Sequence, residues 1–183
     1  MSDIDELILQ CKQNQSWAQE KLFKQFAPKM LGVCRRYLID IDDAKDAMQD
    51  GFVKIFINLT KYEGRSSFNT WITRIMMNTA IDMVKKINKV QFVRDEHYFD
   101  DDTKMGEDDY LEEPNLNQEE LLSLIDKMPN GYKMVFNMYA IDGLAHKEIG
   151  TVLGISEVTS KSQLNRARNF LKTEILKIQP TAI

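Results

Sequence analysis

Near the C-terminus, side chains that could bind DNA share one face of a predicted helix. This face consists of Val158, Thr159, Lys161, Ser162, Asn165 and Arg166. Residues 157–177 contain five basic and two acidic side chains, which gives a net charge of +3. Hydroxyl, amide and cationic groups can hydrogen-bond to base edges in a major groove, and the cations can bind phosphates. The pattern therefore indicates a helix that binds duplex DNA.

A helix-turn-helix pattern surrounds this face. Gly150 is small where two helices would approach, Gly154 occupies a turn position that often needs positive φ, and Ser156 can cap the second helix. The inner face of the second helix is formed by Ser160, Leu164, Ala167 and Leu171. A helical hairpin with a solvated polar face is the alternative. DNA binding is favoured because all of these features occur together.

A second candidate binding surface lies in the N-terminal half of the chain. Asp43, Asp46 and Asp50 are spaced to share one helical face, and Gln49 lies beside them. Like charges on one face repel each other, and attraction to a basic partner surface would offset that repulsion. The pattern indicates a protein interface, and an ordinary solvated face is the alternative.

A polar strip follows on a later predicted helix. Arg74, Asn78 and Asp82 recur at spacings of four, and Lys85 lies beyond them. Such a strip suits a nucleic-acid backbone and its exposed bases. Trp71 is predicted to belong to the core rather than to serve as a stacking platform for bases, because its apolar stripe continues on both sides.

Helices must position all of these residues. Apolar side chains recur at spacings of three and four within 22–38, 44–59 and 68–84, and again within 121–139. Either Asp40 or Asp42 can cap the second of these helices, and either Ser66 or Ser67 can cap the third. No segment shows sustained strand alternation, so the predicted fold class is all-α.

The sequence contains no pattern typical of a metal site, a membrane span or a signal peptide. Cys11 and Cys34 form no CxxC motif and make no plausible zinc site with the two histidines, so both are predicted to be reduced packing residues. No apolar run approaches the roughly 20 residues of a membrane span. The N-terminus lacks the features of a signal peptide. These observations predict a cytoplasmic protein without a membrane span or cofactor.

Charge is segregated along the chain and divides it into three parts. The net charge is +2 over 1–88, −7 over 89–118 and +1 over 119–183, which together give −4. The middle part has ten acidic side chains and no regular apolar period, so it cannot bury enough surface to fold alone. We therefore predict two small helical domains, 1–88 and 119–183, joined by a flexible acidic linker, with a bland solvated spacer as the simplest role of the linker.

Three stretches of the chain resemble the sigma-70 family, and specifically the extracytoplasmic-function (ECF) sigma factors of bacterial RNA polymerase. Residues 43–52, DAKDAMQDGF, are similar to the polymerase-binding helix of region 2.2. The stretch that begins SFNTWITRI at residue 67 and extends to Asp82 resembles regions 2.3 and 2.4, which open and read the −10 element. Residues 120–175 resemble region 4, the reader of the −35 element.

The resemblance implies a non-catalytic promoter-specificity subunit that needs no cofactor. The implied partners are core RNA polymerase, double-stranded promoter DNA and the single-stranded −10 element, with an anti-sigma factor as a further candidate. The residues expected to bind polymerase are Asp43, Asp46, Gln49 and Asp50. Those expected to bind the −10 element are Arg65, Ser66, Ser67, Asn69, Arg74, Asn78, Asp82 and Lys85. Those expected to bind the −35 element are Val158, Thr159, Lys161, Ser162, Asn165, Arg166 and Arg168.

The sequence departs from the family pattern at three positions. Gly51 stands where a bulky apolar residue is usual, at a cost of about 1 kcal/mol in helix propensity. Asn69 replaces a common cation, and Ser160 replaces a usual valine, which is expected to loosen the packing of the second helix slightly. Two other classes of protein remain as alternatives: a stand-alone helix-turn-helix regulator, which would bind its operator without polymerase, and a helical protein-binding adaptor, which would lack the basic face of residues 158–172.

Overall fold

A computed structural model of the chain describes residues 3–88 and 117–178. The chain divides into two compact units, Met1–Val90 and Gln91–Ile183. Every regular element within the described ranges is helical, which confirms the all-α prediction. The predicted acidic linker lies almost entirely outside the described residues.

The first unit has four α-helices within residues 3–88. They are α1 (Asp3–Lys12), α2 (Ser16–Arg35), α3 (Ile41–Asn58) and α4 (Phe68–Asn88), with a short 3-10 turn at Leu59–Lys61 after α3. The largest fully buried side chains of the unit come from α2, α3, α4 and the 3-10 turn, and all except Met76 belong to the predicted apolar stripes. They are Leu22, Met30, Ile55, Leu59, Ile72, Met76 and Ile81. The helices therefore pack against each other through the apolar faces that the 3.6-residue period predicts, and burial of these faces stabilises the unit.

Local hydrogen bonds set where α3 and α4 begin. The Asp40 carboxylate accepts hydrogen bonds from the backbone N–H groups of Asp42 and Asp43, at 2.8 and 3.1 Å. These N–H groups also hold the pKa of Asp40 below its ordinary value. Ser67 Oγ accepts from the N–H of Thr70 at 3.1 Å. Of the two candidates for each cap, Asp40 and Ser67 are the ones that the structure uses.

Gly51 lies at the packed contact between α3 and α4. It is buried, and a Cβ atom built on it would lie 2.4 Å from Sδ of Met76, which is itself fully buried. The missing side chain therefore makes room for Met76. The helix-propensity cost expected at this position is offset by closer packing between the two helices.

Over residues 117–178, the second unit has four α-helices: α5 (Gln118–Asp126), α6 (Asn130–Phe136), α7 (His146–Leu153) and α8 (Glu157–Ile178). The chain continues from α6 into a π-helical turn at Asn137–Ile141. Asn117 and Glu120 form a capping box at the start of α5, with both hydrogen bonds at 2.9 Å. One cluster joins the inner side of α8 to α5 and α6 and consists of Leu124, Ile125, Met128, Tyr132, Ala167, Leu171 and Ile175.

The predicted helix-turn-helix is present in α7 and α8. Gly154 adopts φ +72° between the two helices, and Ser156 Oγ accepts from the N–H of Thr159 at 2.9 Å. A Cβ on Gly150 would lie 2.7 Å from the carbonyl oxygen of Ile155. The small residue is thus required by the turn backbone rather than by a crossing of the two helices.

Both cysteines are buried and unbonded, as predicted. Burial raises the pKa of Cys34 to about 12 and also raises that of Cys11. Both thiols therefore stay neutral at physiological pH and contribute packing.

Candidate functional site

Three acidic residues of α3 and the neighbouring Gln49 form a strip, named here the acidic strip: Asp43, Asp46, Gln49 and Asp50. Asp43 is half-buried and the other three are exposed. Among the described residues, no cation forms an ion pair with Asp46 or Asp50, whereas the neighbouring Asp42 pairs with Lys45 at 3.0 Å. The charge of the strip is therefore left for solvent or a partner.

Two apolar side chains that sequence reasoning missed extend the acidic strip. Val53 and Ile57 follow Asp46 and Asp50 at helical spacing on α3, and 56% and 71% of their surfaces are exposed. Together with the carboxylates, Val53 and Ile57 add exposed apolar area that a protein partner could cover. The α-helical period alone could have found both residues, since it places them outside the stripe of Phe52, Ile55 and Leu59.

A small cleft lies between the 3-10 turn and the start of α4. Lys61, Tyr62, Glu63, Arg65, Ser66 and Trp71 line about 310 Å³ of space, and we name it the loop cleft. The Tyr62 and Trp71 rings have centroids 5.3 Å apart, and Arg65 is paired with Glu63 at 2.7 Å. Gly64 at φ +75° turns the loop around the cleft. Aromatic faces beside cations are suited to an unstacked base and its phosphate.

The prediction that Trp71 belongs to the core is only partly right. Its ring packs on Phe68, 5.9 Å between centroids, but the side chain is only partly buried and lines the loop cleft. Apolar periodicity assigns a residue to a face of a helix, but it does not say whether a loop covers that face. Here the 61–66 loop leaves part of the indole open.

The predicted polar residues continue from Trp71 along α4. Arg74, Asn78 and Asp82 are exposed, and we name them the polar stripe. Asp82 lies 3.8 Å from the ammonium of Lys54 on α3, which also donates to Thr79 Oγ1. Asn69 and Lys85 are half-buried, and Ser67 is engaged in the α4 cap. Of the predicted set, the structure brings Arg65 and Ser66 together at the loop cleft and arranges the others along α4.

The two faces of α8 differ as predicted. Ser160, Leu164, Ala167 and Leu171 are all buried. On the opposite side Val158 is 75% exposed, Lys161, Ser162 and Asn165 are exposed, and Thr159 and Arg166 are half-buried; Arg168, four residues after the buried Leu164, is also exposed. Lys161 pairs with Glu157 at 2.7 Å, and this contact is the main cause of a lowered Glu157 pKa. We call the outer side, including Arg168, the reading face.

Family comparison identifies both units. Residues 22–90 match Sigma-70 region 2, and residues 118–171 match Sigma-70 region 4. The chain belongs to the ECF group of the sigma-70 family. It is therefore a sigma factor, the subunit that gives RNA polymerase its promoter specificity at transcription initiation.

Named relatives of this sigma factor span nearly its whole length. It is 26% identical to the ECF RNA polymerase sigma factor SigW of Bacillus subtilis, over 94% of this chain and 96% of SigW. It is 25% identical to the ECF RNA polymerase sigma-E factor of Haemophilus influenzae, over 95% and 94% of the two chains.

Two solved structures share the fold. CnrH, in complex with the cytosolic domain of CnrY, matches with a TM-score of 0.52 and 20% identity over 94% of this chain and 97% of CnrH. RpoE of Bartonella quintana, in complex with the anti-sigma factor NepR, matches with a TM-score of 0.54 and 18% identity over 88% and 98% of the two chains. Within the described residues, no helix is long and apolar enough to cross a membrane.

Region 4 of this sigma factor contains a polar contact that sequence reasoning missed. Nδ1 of His146, the first residue of α7, is hydrogen-bonded to the buried Ser160 Oγ on α8 at 2.9 Å, and its ring stacks on Tyr139 at 4.5 Å. Desolvation is the main cause of a lowered His146 pKa; nearby Lys161 and Arg168 lower it further, against an opposing effect of Glu157. Ser160 is thus a partner for His146 rather than a loosely packed substitute for valine.

Proposed function

We propose that this sigma factor binds core RNA polymerase through the acidic strip and binds its promoter through two separate surfaces. The loop cleft and the polar stripe take the single-stranded −10 element, and the reading face takes the −35 element as duplex. The sigma factor itself catalyses no reaction and needs no cofactor, because the polymerase makes the phosphodiester bonds. It acts in the cytoplasm, where the polymerase is.

Charge complementarity supports the polymerase interface. Asp46, Gln49 and Asp50 are exposed on α3, and a basic surface on the largest polymerase subunit is their proposed partner. Opposite charges across such an interface guide encounter and fix its register. The exposed Val53 and Ile57 extend the same helix face and add apolar area that the partner can cover.

The observation that carries the proposal is the loop cleft. Tyr62 and Trp71 offer aromatic surface for one unstacked base, while Arg65 and Lys61 supply charge for the backbone. A base taken out of the stack exchanges its stacking energy for contacts of this kind, a few kcal/mol each way. A stand-alone helix-turn-helix regulator reads only duplex DNA and has no use for such a cleft.

The −10 contacts extend beyond the cleft in this proposal. Arg65, Ser66 and Ser67 act at the loop, and the bound strand continues along α4. The residues proposed there are Asn69, Arg74, Asn78, Asp82 and Lys85. The exposed amide of Asn78 can exchange hydrogen bonds with a base edge, and Arg74 can bind a phosphate.

The reading face supports binding of the −35 element in a major groove. Its outer side chains lie opposite a continuous buried face, so the helix can enter a groove without losing its packing. The residues proposed to contact DNA are Val158, Thr159, Lys161, Ser162, Asn165, Arg166 and Arg168. Arg166 is suited to a guanine edge and Val158 to a thymine methyl group.

An anti-sigma factor is proposed as a further partner. RpoE of Bartonella quintana was solved with the anti-sigma factor NepR, and CnrH with the cytosolic domain of CnrY. The exposed apolar residues Val53 and Ile57 are available to a protein of this kind when polymerase is not bound.

Run-off transcription tests the proposal. Purified core polymerase is given fragmented genomic DNA with and without the chain, and discrete transcripts are expected only when the chain is present. At a promoter found in this way, permanganate reactivity reports strand opening. The combined variant Asn78→Ala, Arg65→Ala and Ser66→Ala should bind core polymerase normally but open this promoter poorly. Tight binding to a duplex operator without polymerase, together with no transcript, would instead identify a stand-alone regulator.

A further inference from the structure

Helix α1 contacts the loop cleft through its last residue. Lys12 Nζ donates a hydrogen bond to the backbone carbonyl oxygen of Tyr62 at 3.0 Å and lies 5.9 Å from the centroid of the Tyr62 ring. Both residues are partly buried. α1 ends before residue 22, where the match to Sigma-70 region 2 begins, so the family comparison gives this lysine no role.

Tyr62 is the residue that organises the cleft. Its hydroxyl donates to the carbonyl oxygen of Ser66 at 2.8 Å and so closes the loop across Gly64. Its ring packs against Trp71 and Phe68, each at 5.3 Å between centroids. Whatever fixes the backbone of Tyr62 therefore fixes the shape of the cleft and the exposed side of the indole.

We infer that Lys12 is a positioning residue for base binding, acting through Tyr62; this inference rests on the proposed role of the loop cleft. A cationic donor to a partly buried carbonyl makes a stronger bond than a neutral one. A loop that is already ordered loses less conformational entropy when a base binds. Without this bond the 61–66 loop would have to be ordered during promoter opening, and opening would be slower.

The first test concerns the loop alone and needs no promoter. The chain has two tryptophans, so Trp17→Phe leaves Trp71 as the single emitter. In this background, Lys12→Met should raise acrylamide quenching of Trp71 roughly twofold, because a loosened Tyr62 uncovers the ring. Lys12→Arg should restore the quenching of the parent. Lys24→Met is the matched control, since Lys24 pairs with Glu20 at an exposed site on α2. Unchanged quenching in Lys12→Met, with helicity intact, overturns the inference.

The second test uses holoenzyme at a promoter found by genomic run-off. Lys12→Met should slow open-complex formation roughly tenfold while affinity for core polymerase is unchanged, and Lys12→Arg should regain most of the rate. Trp71→Ala is measured in parallel. If Trp71→Ala slows opening and Lys12→Met does not, the positioning role is wrong and the proposed function stands. If neither slows opening, the cleft does not bind the −10 element, and the inference fails with the proposed function.

Discussion

At the scale of single residues, the exposed carboxylates of α3 carry the sharpest prediction. Asp46→Lys combined with Asp50→Lys should weaken binding to core polymerase by more than a hundredfold, about 3 kcal/mol, because attraction is replaced by repulsion at a partly desolvated interface. Helicity should be unchanged, since both positions are exposed. Fluorescence anisotropy with labelled core polymerase measures the affinity.

A control for this variant is available in the same unit. Glu6→Lys with Glu20→Lys changes the net charge equally at exposed sites on α1 and α2. Polymerase binding should survive that change. Equal losses in the two variants would mean that overall charge, and not the acidic strip, sets the affinity.

Arg166 distinguishes base reading from phosphate binding on α8. If it reads a guanine edge, Arg166→Ala should cost about 1–3 kcal/mol at the preferred promoter and much less at a promoter with that base pair changed. If it binds only phosphate, all sequences should weaken equally and the salt slope should fall by about 0.9. Binding and transcription across a salt series decide between the two. Wild-type transcription from every promoter would contradict the placement of α8 in the groove.

The His146–Ser160 contact predicts a pH-dependent stability. Because the folded state lowers the His146 pKa, the unfolded chain binds the proton more tightly and protonation favours unfolding. The stability contributed by neutral His146 is therefore complete above pH 6.5, the ordinary pKa of histidine. It is lost as the pH falls from 6.5 toward the lower pKa of His146 in the folded state.

Melting temperatures of the wild type and His146→Gln measure this effect. Both melting temperatures are recorded from pH 7.5 to 5.5. The difference between them at each pH isolates the effect of His146, because the other titratable side chains are the same in the two proteins. The advantage of the wild type should shrink on acidification. A difference in melting temperature that stays constant over this range would show that His146 does not titrate differently in the folded and unfolded states.

At the scale of elements, Gly51 shows how two helices share one volume. Gly51→Ala gains about 1 kcal/mol of helix propensity but overpacks against buried Met76, which typically costs about 1–3 kcal/mol. The single variant should therefore be slightly less stable than the wild type. Adding Met76→Val removes the overlapping atoms, so the double variant should be more stable than the sum of the two single effects predicts. A double-mutant cycle by urea denaturation measures the coupling, and strict additivity would contradict it.

Helical periodicity predicted the helices that carry the four apolar stripes, but it did not predict α1 (Asp3–Lys12). The inner face of α8, the turn at Gly154 and a cap at Asp40 or Asp42 each depend on residues close together in the sequence, and the structure contains the first two and uses Asp40 for the third. Such features are local, so their physics is written in short stretches of sequence. The three departures from the family pattern changed none of these elements.

Contacts between distant parts of the chain were beyond sequence reasoning. The loop cleft combines Tyr62 from the loop with Trp71 from α4, and Lys12 from α1 donates a hydrogen bond to Tyr62; only tertiary packing brings the three together. The His146–Ser160 bond joins residues fourteen positions apart on two helices. Neither contact has a repeating sequence pattern. Periodicity places Trp71 in the core because it cannot show that the 61–66 loop leaves part of the ring uncovered.

At the scale of the whole molecule, the acidic segment between the units carries a prediction from sequence alone. Residues 95–113 contain ten acidic side chains and one lysine. Membership of the sigma-70 family implies that this linker passes through basic polymerase channels near the RNA path, and we expect an acidic chain to occupy such a channel until RNA displaces it. Replacing Asp100, Asp101, Asp102, Glu107, Asp108 and Asp109 with Ser and Gly should therefore lower polymerase affinity and change the lengths of abortive products.

Salt separates this hypothesis from the simpler one. A spacer that only keeps two DNA-binding units apart would lose its effect at salt high enough to suppress non-specific DNA binding. The channel hypothesis expects the altered abortive pattern to persist there. An unchanged pattern and an unchanged affinity would leave the spacer as the role of the segment.

The division of α8 into a buried face and an exposed face has a consequence for the evolution of DNA specificity. The inner residues hold the fold, while Val158, Ser162 and Asn165 contribute little to it because they face outward. Mutations on the outer side are therefore close to neutral for folding while altering which DNA is preferred. After a gene duplication, one copy can drift to new target sequences without first passing through an unstable intermediate. A division of this kind lets a genome accumulate many paralogues with separate sets of target genes.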